Sequence, residues 1–284
     1  MLDPGSFSSF AAWRQDRRER GAVRPVAFVP TMGALHQGHA SLIRRAKLTE
    51  GPDLEVVVSV YVNPTQFNDS DDFDAYPLSH ERDLEVALEA GADAVVFPRA
   101  DELYPEGVPQ RADRVNFGEL TSLWEGAHRP GHFDGVVAVV RSLFHQVQPK
   151  WALFGEKDWQ QLAVIQRLAE LEFPKLNVVP VATMREENGL AMSSRNARLS
   201  HKDRSQAGKL HSTMLSVVRS TEVLNAVAAA KLKLEKCGFE LEYLALVDGI
   251  SMQPSLRPKA SNRLIVAANF GGVRLIDNVS LGDS

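Results

Sequence analysis

The chain has 284 residues, 44% of them hydrophobic, and 32 Lys plus Arg against 36 Asp plus Glu give a formal net charge of −4. That length buries a substantial core and predicts two domains, while a mildly acidic chain has no global attraction to nucleic acid or anionic membrane, so phosphate chemistry has to use a local basic pocket. Cys237 is the single cysteine, which excludes an internal disulfide and suits a reducing cytoplasm; no apolar run approaches the ~18 residues that cross a bilayer, and no basic stretch leading into an apolar one predicts a secretory signal.

Residues 6–20 predict an amphipathic helix whose charged run 14–20 forms a solvated face. The apolar run 26–29 suits a buried strand, which Pro30 and Gly33 then break. Apolar residues at Leu35, Leu42, Ile43 and Ala46 suit an amphipathic helix after them. Strand, glycine turn and helix make half of a nucleotide-binding βαβ unit, because the N–H groups and dipole at a helix start attract phosphate. His36 and His39, three apart, share a face in the first helical turn, and Gly38 between them lets a ligand approach the backbone. Two imidazoles so placed can donate to charge developing on a triphosphate attacked at its α-phosphorus. Surface residues or metal ligands are the alternative readings of that pair.

A near-continuous β-branched run over 54–62 predicts a strand covered on both faces. Asn63 and Gln66 follow at its C-terminal end, where open parallel sheets bind ligands; their amides suit a polar small molecule, or simply cap the loop. The Asp-rich stretch 69–74 reads as an exposed loop. A helix over 80–90 and a strand over 94–97 follow, and 120–134 shows no clean period. Within 125–135, three glycines, Arg129 and His132 suit either a pocket wall facing an anion or a turn-rich surface loop. A helix over 136–146 and a strand over 151–154 lead to Gly155, Lys157 and Asp158, a position after a strand that favours a site over a solvated charge pair. A helix over 162–171 comes next, then a strand bracketed by Pro174 and Pro180.

Beyond that the character changes. Ser193, Ser194 and Arg195 offer two hydroxyls and a forked cation able to clamp phosphates. A helix-rich stretch from 203 to 237 precedes strands over 241–247, 264–268 and 273–276, the last two joined by Gly271 and Gly272. The expected architecture is α/β: a Rossmann-like parallel-sheet domain over 1–180 and a smaller α+β C-terminal domain, a lid, over 181–284. Cys237 falls at a helix end with no His motif paired to it and reads as structural.

The strand–turn–helix with H-x-G-H resembles the signature of the H-x-G-H nucleotidyltransferase superfamily. Taken in order, PTMGALHQGH, VYVNPTQF, EGAHRPGHFDGV, QPKWALFGEKDWQQL, REENGLAMSSRN and RLIDN resemble the pantothenate synthetase family over nearly the whole chain. The resemblance implies a cytoplasmic homodimer that condenses pantoate with β-alanine at the expense of ATP and Mg²⁺, through an enzyme-bound pantoyl adenylate. It implies catalytic roles for His39, His36, Lys157 and Arg195. Met32, His36, His39, Gly155, Lys157, Asp158, Met192, Ser193, Ser194 and Arg195 would bind ATP. Gln66 and Gln161 would hold pantoate with Asn63 beside them, and Asp83 matches a position implicated in magnesium binding. The chain departs from the family pattern at Leu78 and Asn188, neither of which is assigned to chemistry. A rival enzyme of the same superfamily would join AMP to a phosphorylated substrate, against which Gln66 and Gln161 suit a hydroxy acid. A catalytically silent nucleotide-binding module is the other alternative.

Overall fold

The computed structural model describes residues 5–22, 24–49, 53–67, 73, 79–107 and 117–282. The expected Asp-rich loop 69–74, Phe73 apart, and Leu78 lie outside them. Contacts along the chain group it into two compact units. The first takes residues 1–116, 129–156 and 164–181; the second takes 117–128, 157–163 and 182–284. Two short segments from before residue 181 therefore fold with the C-terminal part of the chain.

The first unit is built on a six-stranded sheet: β1 (Ser6–Phe7), β2 (Val26–Thr31), β3 (Glu55–Val60), β4 (Ala94–Val96), β5 (Trp151–Gly155) and β6 (Asn177–Val181), in the order β1-β4-β3-β2-β5-β6. All its pairings are parallel. From β2 the chain steps outward through β3 and β4 on one side, then through β5 and β6 on the other. The order reverses between β2 and β5, the switch point outside which doubly wound sheets bind ligands. Every residue of β3 is buried, as a strand covered on both faces requires. One of them is Glu55, which accepts from Trp13 Nε1 at 3.1 Å and pairs with Arg17 at 2.8 Å. Arg17 thus leaves the solvated face expected of residues 14–20, because a buried carboxylate needs a charged partner.

Several elements differ from their expected bounds. The run 120–134 overlaps two one-turn helices, Glu119–Ser122 and Glu125–His128, too short to show a period, and the helix expected from 136 begins at His132 and ends at Val147. Pro180 lies inside β6 rather than after it, paired with Phe154. β6 is an edge strand, so the missing N–H need not break the ladder. β1, two residues long, has no sequence signal of its own.

The second unit carries an antiparallel sheet, β7 (Glu240–Asp248), β8 (Asn262–Phe270) and β9 (Val273–Ser280). Gly271 and Gly272 turn β8 into β9 with φ of +57° and +73°, the left-handed pair that a two-residue hairpin demands. Helices Lys209–Val218 and Val223–Lys236 join the sheet in a core that includes Leu210, Met214, Leu234, Leu244 and Val266, with half-buried Cys237 packed against it. The early segment 117–128 is tied in by charge: Glu125 accepts from Tyr243 Oη at 2.6 Å and from both arms of Arg274 at 2.7 and 2.9 Å. Burial beside Glu125 pushes the Tyr243 hydroxyl far above its ordinary range, so it stays a donor.

Candidate active site

In the first unit the site residues gather past the ends of β2 and β3. Gly33 turns the chain out of β2 at φ +85°, where an added Cβ would lie 2.8 Å from Asp83 Oδ2 and 3.1 Å from Val60 Cγ1. Only glycine fits both the backbone and the space. Ala34 follows at φ +51°, a conformation that costs a non-glycine residue ~1–3 kcal/mol unless its surroundings hold it. Asp83 does the holding. Its two oxygens accept from Ala34 N–H at 3.1 Å and Leu35 N–H at 2.7 Å, and it is 1% exposed. Burial pushes its carboxyl pKa up, and those two N–H groups pull against the rise.

The turn ends at His36, the N-cap of the helix Gln37–Lys47. His36 Nδ1 accepts from Gly38 N–H at 3.0 Å, and His39 Nδ1 accepts from His36 N–H at 3.3 Å. Each ring therefore uses its δ nitrogen as an acceptor, which in the neutral imidazole puts the proton on Nε2. The ring centroids are 4.2 Å apart. The helix start thus presents two Nε2–H donors of fixed tautomer beside its own positive end.

Past β3, Asn63 is spent on the loop. It is 1% exposed, its Nδ2 donates to Gly135 carbonyl at 3.1 Å, and its Oδ1 accepts from Thr65 Oγ1 at 3.0 Å and Tyr104 Oη at 3.1 Å. Of its two open readings, loop capping is the one these bonds describe. Gln66 is gripped on several sides. Its carbonyl lies 2.9 Å from His132 Nδ1 and accepts from Arg129 at 3.2 Å, and its amide contacts Met32 Sδ. Arg129 and His132 therefore fasten the Gln66 loop of their own chain. Sequence spacing could not have shown this, since they lie 63 and 66 residues along the chain from Gln66.

In the second unit, Lys157 and Asp158 belong to the single 3-10 turn Glu156–Asp158, with Lys157 Nζ 3.6 Å from Asp158 Oδ1. Gln161, half-buried, follows on the helix Trp159–Glu172. Its neighbour Gln160 is buried and structural, accepting from Glu125 N–H and donating to the Leu120 and Leu123 carbonyls. Ser193 caps the 3-10 turn Ser194–Arg198 through its hydroxyl, which accepts from Arg195 N–H at 3.3 Å. Met192, Ser193, Ser194 and Arg195 are half-buried. Gly155 ends β5 on the first unit, and a Cβ there would meet nothing within 4 Å.

Among the described residues, no three His, Cys, Asp or Glu side chains are arranged to hold a metal. No helix among them is long and apolar enough to cross a membrane. Residues 6–280 match the family described as pantoate-beta-alanine ligase. A pantothenate synthetase of Bdellovibrio bacteriovorus is 45% identical over 97% of this chain and 98% of its own. That of Thermus thermophilus is 46% identical over 90% of this chain and 93% of its own. A crystal structure of the Thermus thermophilus pantothenate synthetase superposes with a TM-score of 0.86 at 43% identity, covering 97% of this chain and 99% of that one. A pantoate-beta-alanine ligase from Francisella tularensis, complexed with beta-gamma ATP and beta-alanine, superposes with a TM-score of 0.80 at 31% identity, covering 98% of this chain and 97% of that one. With the family pattern matched from the first strand to the last, this chain belongs to the pantoate-beta-alanine ligase family.

Proposed function

We propose that this enzyme condenses D-pantoate with β-alanine in two steps, adenylation and then amide formation, yielding pantothenate, AMP and pyrophosphate. A carboxylate is a poor acyl donor because oxide is a poor leaving group. Attack of the pantoate carboxylate on the α-phosphorus makes a mixed anhydride with AMP, and negative charge moves onto the departing pyrophosphate. The observation that carries this reading is the pair of Nε2–H donors that His36 and His39 present at a helix start, the kind of fixed donor that stabilises such charge. Lys157, Ser193, Ser194 and Arg195 serve phosphate binding, with Met32, Gly155, Asp158 and Met192 completing the nucleotide contacts. Gln66 and Gln161 hold pantoate, and Asn63 keeps the Gln66 loop in place. The β-alanine amine then attacks the activated carbonyl carbon, AMP leaves, and the ammonium proton passes to solvent; this step gains mainly from proximity.

Magnesium would be carried in by ATP and would offset the charge of the departing pyrophosphate. Asp83, the residue matched to magnesium, does not fit a ligand role, since both its oxygens are engaged by backbone N–H groups in a buried turn. The enzyme works as a homodimer in the cytoplasm, as the family resemblance implies.

The test is exchange of labelled pyrophosphate into ATP with each substrate supplied or withheld. Exchange is expected with pantoate alone, and AMP is expected as the nucleotide product of full turnover. Exchange that requires β-alanine, or ADP among the products, defeats the proposal.

A further inference from the structure

A run of contacts in the second unit reaches Lys157 from behind. β9 carries Asp277 and Asn278 side by side, both buried. Asn278 Nδ2 donates to the Lys157 carbonyl at 2.9 Å, and its Oδ1 accepts from Arg263 of β8 at 2.5 Å. Arg263 lies over the Trp159 ring, 3.3 Å from its centroid, and Trp159 Nε1 donates to the Gly249 carbonyl at 2.8 Å. Both neighbours of Asp158 are thus tied to the three-stranded sheet, Lys157 by its carbonyl and Trp159 by its ring, while the Trp159 N–H is held just past the end of β7. Asp277 accepts the Asn278 N–H at 2.8 Å and both arms of Arg185 at 2.7 and 2.9 Å. Arg185 pairs with Ala191 across the turn that leads to Ser193.

A lysine ammonium rides on a flexible four-carbon stem and finds phosphate as a point charge. What the protein can fix is the backbone from which that stem starts. In a one-turn 3-10 helix the backbone has few hydrogen bonds of its own to do this. A buried side-chain amide gripping the lysine's own carbonyl supplies the constraint. We infer that Asn278 is a positioning residue for adenylation and acts through Lys157; the inference rests on the assignment of Lys157 to phosphate made above.

The test is a double-mutant cycle on the whole enzyme. Asn278→Ala, Asn278→Asp, Lys157→Ala and the two pairings are compared by pyrophosphate exchange, with thermal unfolding as the control for folding. Asn278→Asp keeps an acceptor for Arg263 and loses the donation to Lys157, so it carries the cycle if Asn278→Ala does not fold, with thermal unfolding reporting the cost of its added buried charge. Each Asn278 variant is expected to lower exchange kcat roughly 10- to 100-fold and to leave the KM for pantoate unchanged. In the Lys157→Ala background the same substitution is expected to change kcat by less than about 2-fold. A folded Asn278→Asp protein with unchanged kcat overturns the inference. So does the same fractional loss whether or not Lys157 is present, which leaves the phosphate role of Lys157 intact. A Lys157→Ala enzyme that exchanges normally overturns that role, and the inference with it.

Discussion

Gly135 tests how closely the Gln66 loop, proposed above to hold pantoate, depends on the helix behind it. It lies in the first turn of the helix His132–Val147, against the backbone of the loop that carries Gln66. A Cβ at Gly135 would sit 2.4 Å from Thr65 carbonyl oxygen, 2.6 Å from its carbon and 2.8 Å from Gln66 N. All three are backbone atoms, so no side-chain rotation relieves the clash. Bringing the nearest contact from 2.4 Å to even 3.0 Å requires a displacement of about 0.6 Å or more, and comfortable carbon contacts lie farther out still. Alanine favours a helix over glycine by ~1 kcal/mol, while overpacking costs ~1–3 kcal/mol. Set against each other they leave a net loss of about 0–2 kcal/mol, so Gly135→Ala is expected to fold. Function is more sensitive, because a misplacement of about 1 Å can cost ~10²-fold in rate. The shift also strains the Asn63 bond to Gly135 carbonyl and moves Gln66. Pyrophosphate exchange with pantoate alone is expected to fall roughly 10-fold or more, with the KM for pantoate raised and that for ATP little changed. A folded Gly135→Ala enzyme with unaltered pantoate kinetics would refute the reasoning.

Asp83→Asn leaves one N–H of the Ala34–Leu35 turn facing an amide N–H, partly offset by relief from burying a charge. The expected loss is about 1–3 kcal/mol in urea unfolding, with slower exchange and an unchanged magnesium dependence; normal stability with a raised magnesium requirement would instead make Asp83 a ligand. Asp277 is buried, which by itself raises its pKa, but His211 and Arg185 outweigh that and hold the pKa below the usual carboxylate value. Its folded pKa being the lower one, its stabilisation is complete above the unfolded pKa of ~3.9 and is lost as pH falls through the folded value. Asp277→Asn is therefore expected to cost about 3 kcal/mol at pH 7 and progressively less below about pH 4. A cost that stays constant across urea melts from pH 7 to pH 3 would show that the ion pair is not its source.

Much of the fold was legible in the chain because its signals are local. Buried parallel strands such as β3 read as unbroken β-branched runs, and the Pro30–Gly33 break followed by an apolar period announces a strand, a turn and a helix. The Gly271–Gly272 hairpin declares itself in two letters. The two histidines were legible as neighbours at a helix start, although His36 stands as the extended N-cap before the helix rather than on a face of its first turn. What they do with their δ nitrogens was not, because that depends on the N-cap geometry that Asp83 and Gly33 impose on the turn.

Tertiary structure alone decided the partners that are far apart in sequence. Arg17 reads as one more surface charge until Glu55 is found buried beneath it. Arg129 and His132 read as an anion pocket or a surface loop, and only the fold shows them on Gln66 carbonyl; Asn63 reads as substrate-facing or capping, and only the fold shows Thr65, Tyr104 and Gly135 bonded to its amide. Segments 117–128 and 157–163 precede the last strand of the parallel sheet yet fold with the second unit. The physical reason is common to all of these. Hydrophobic period and turn chemistry are properties of neighbouring residues, whereas a buried polar group must be satisfied by whatever the folded chain brings within about 3 Å, and sequence order places no bound on how far along the chain that partner lies.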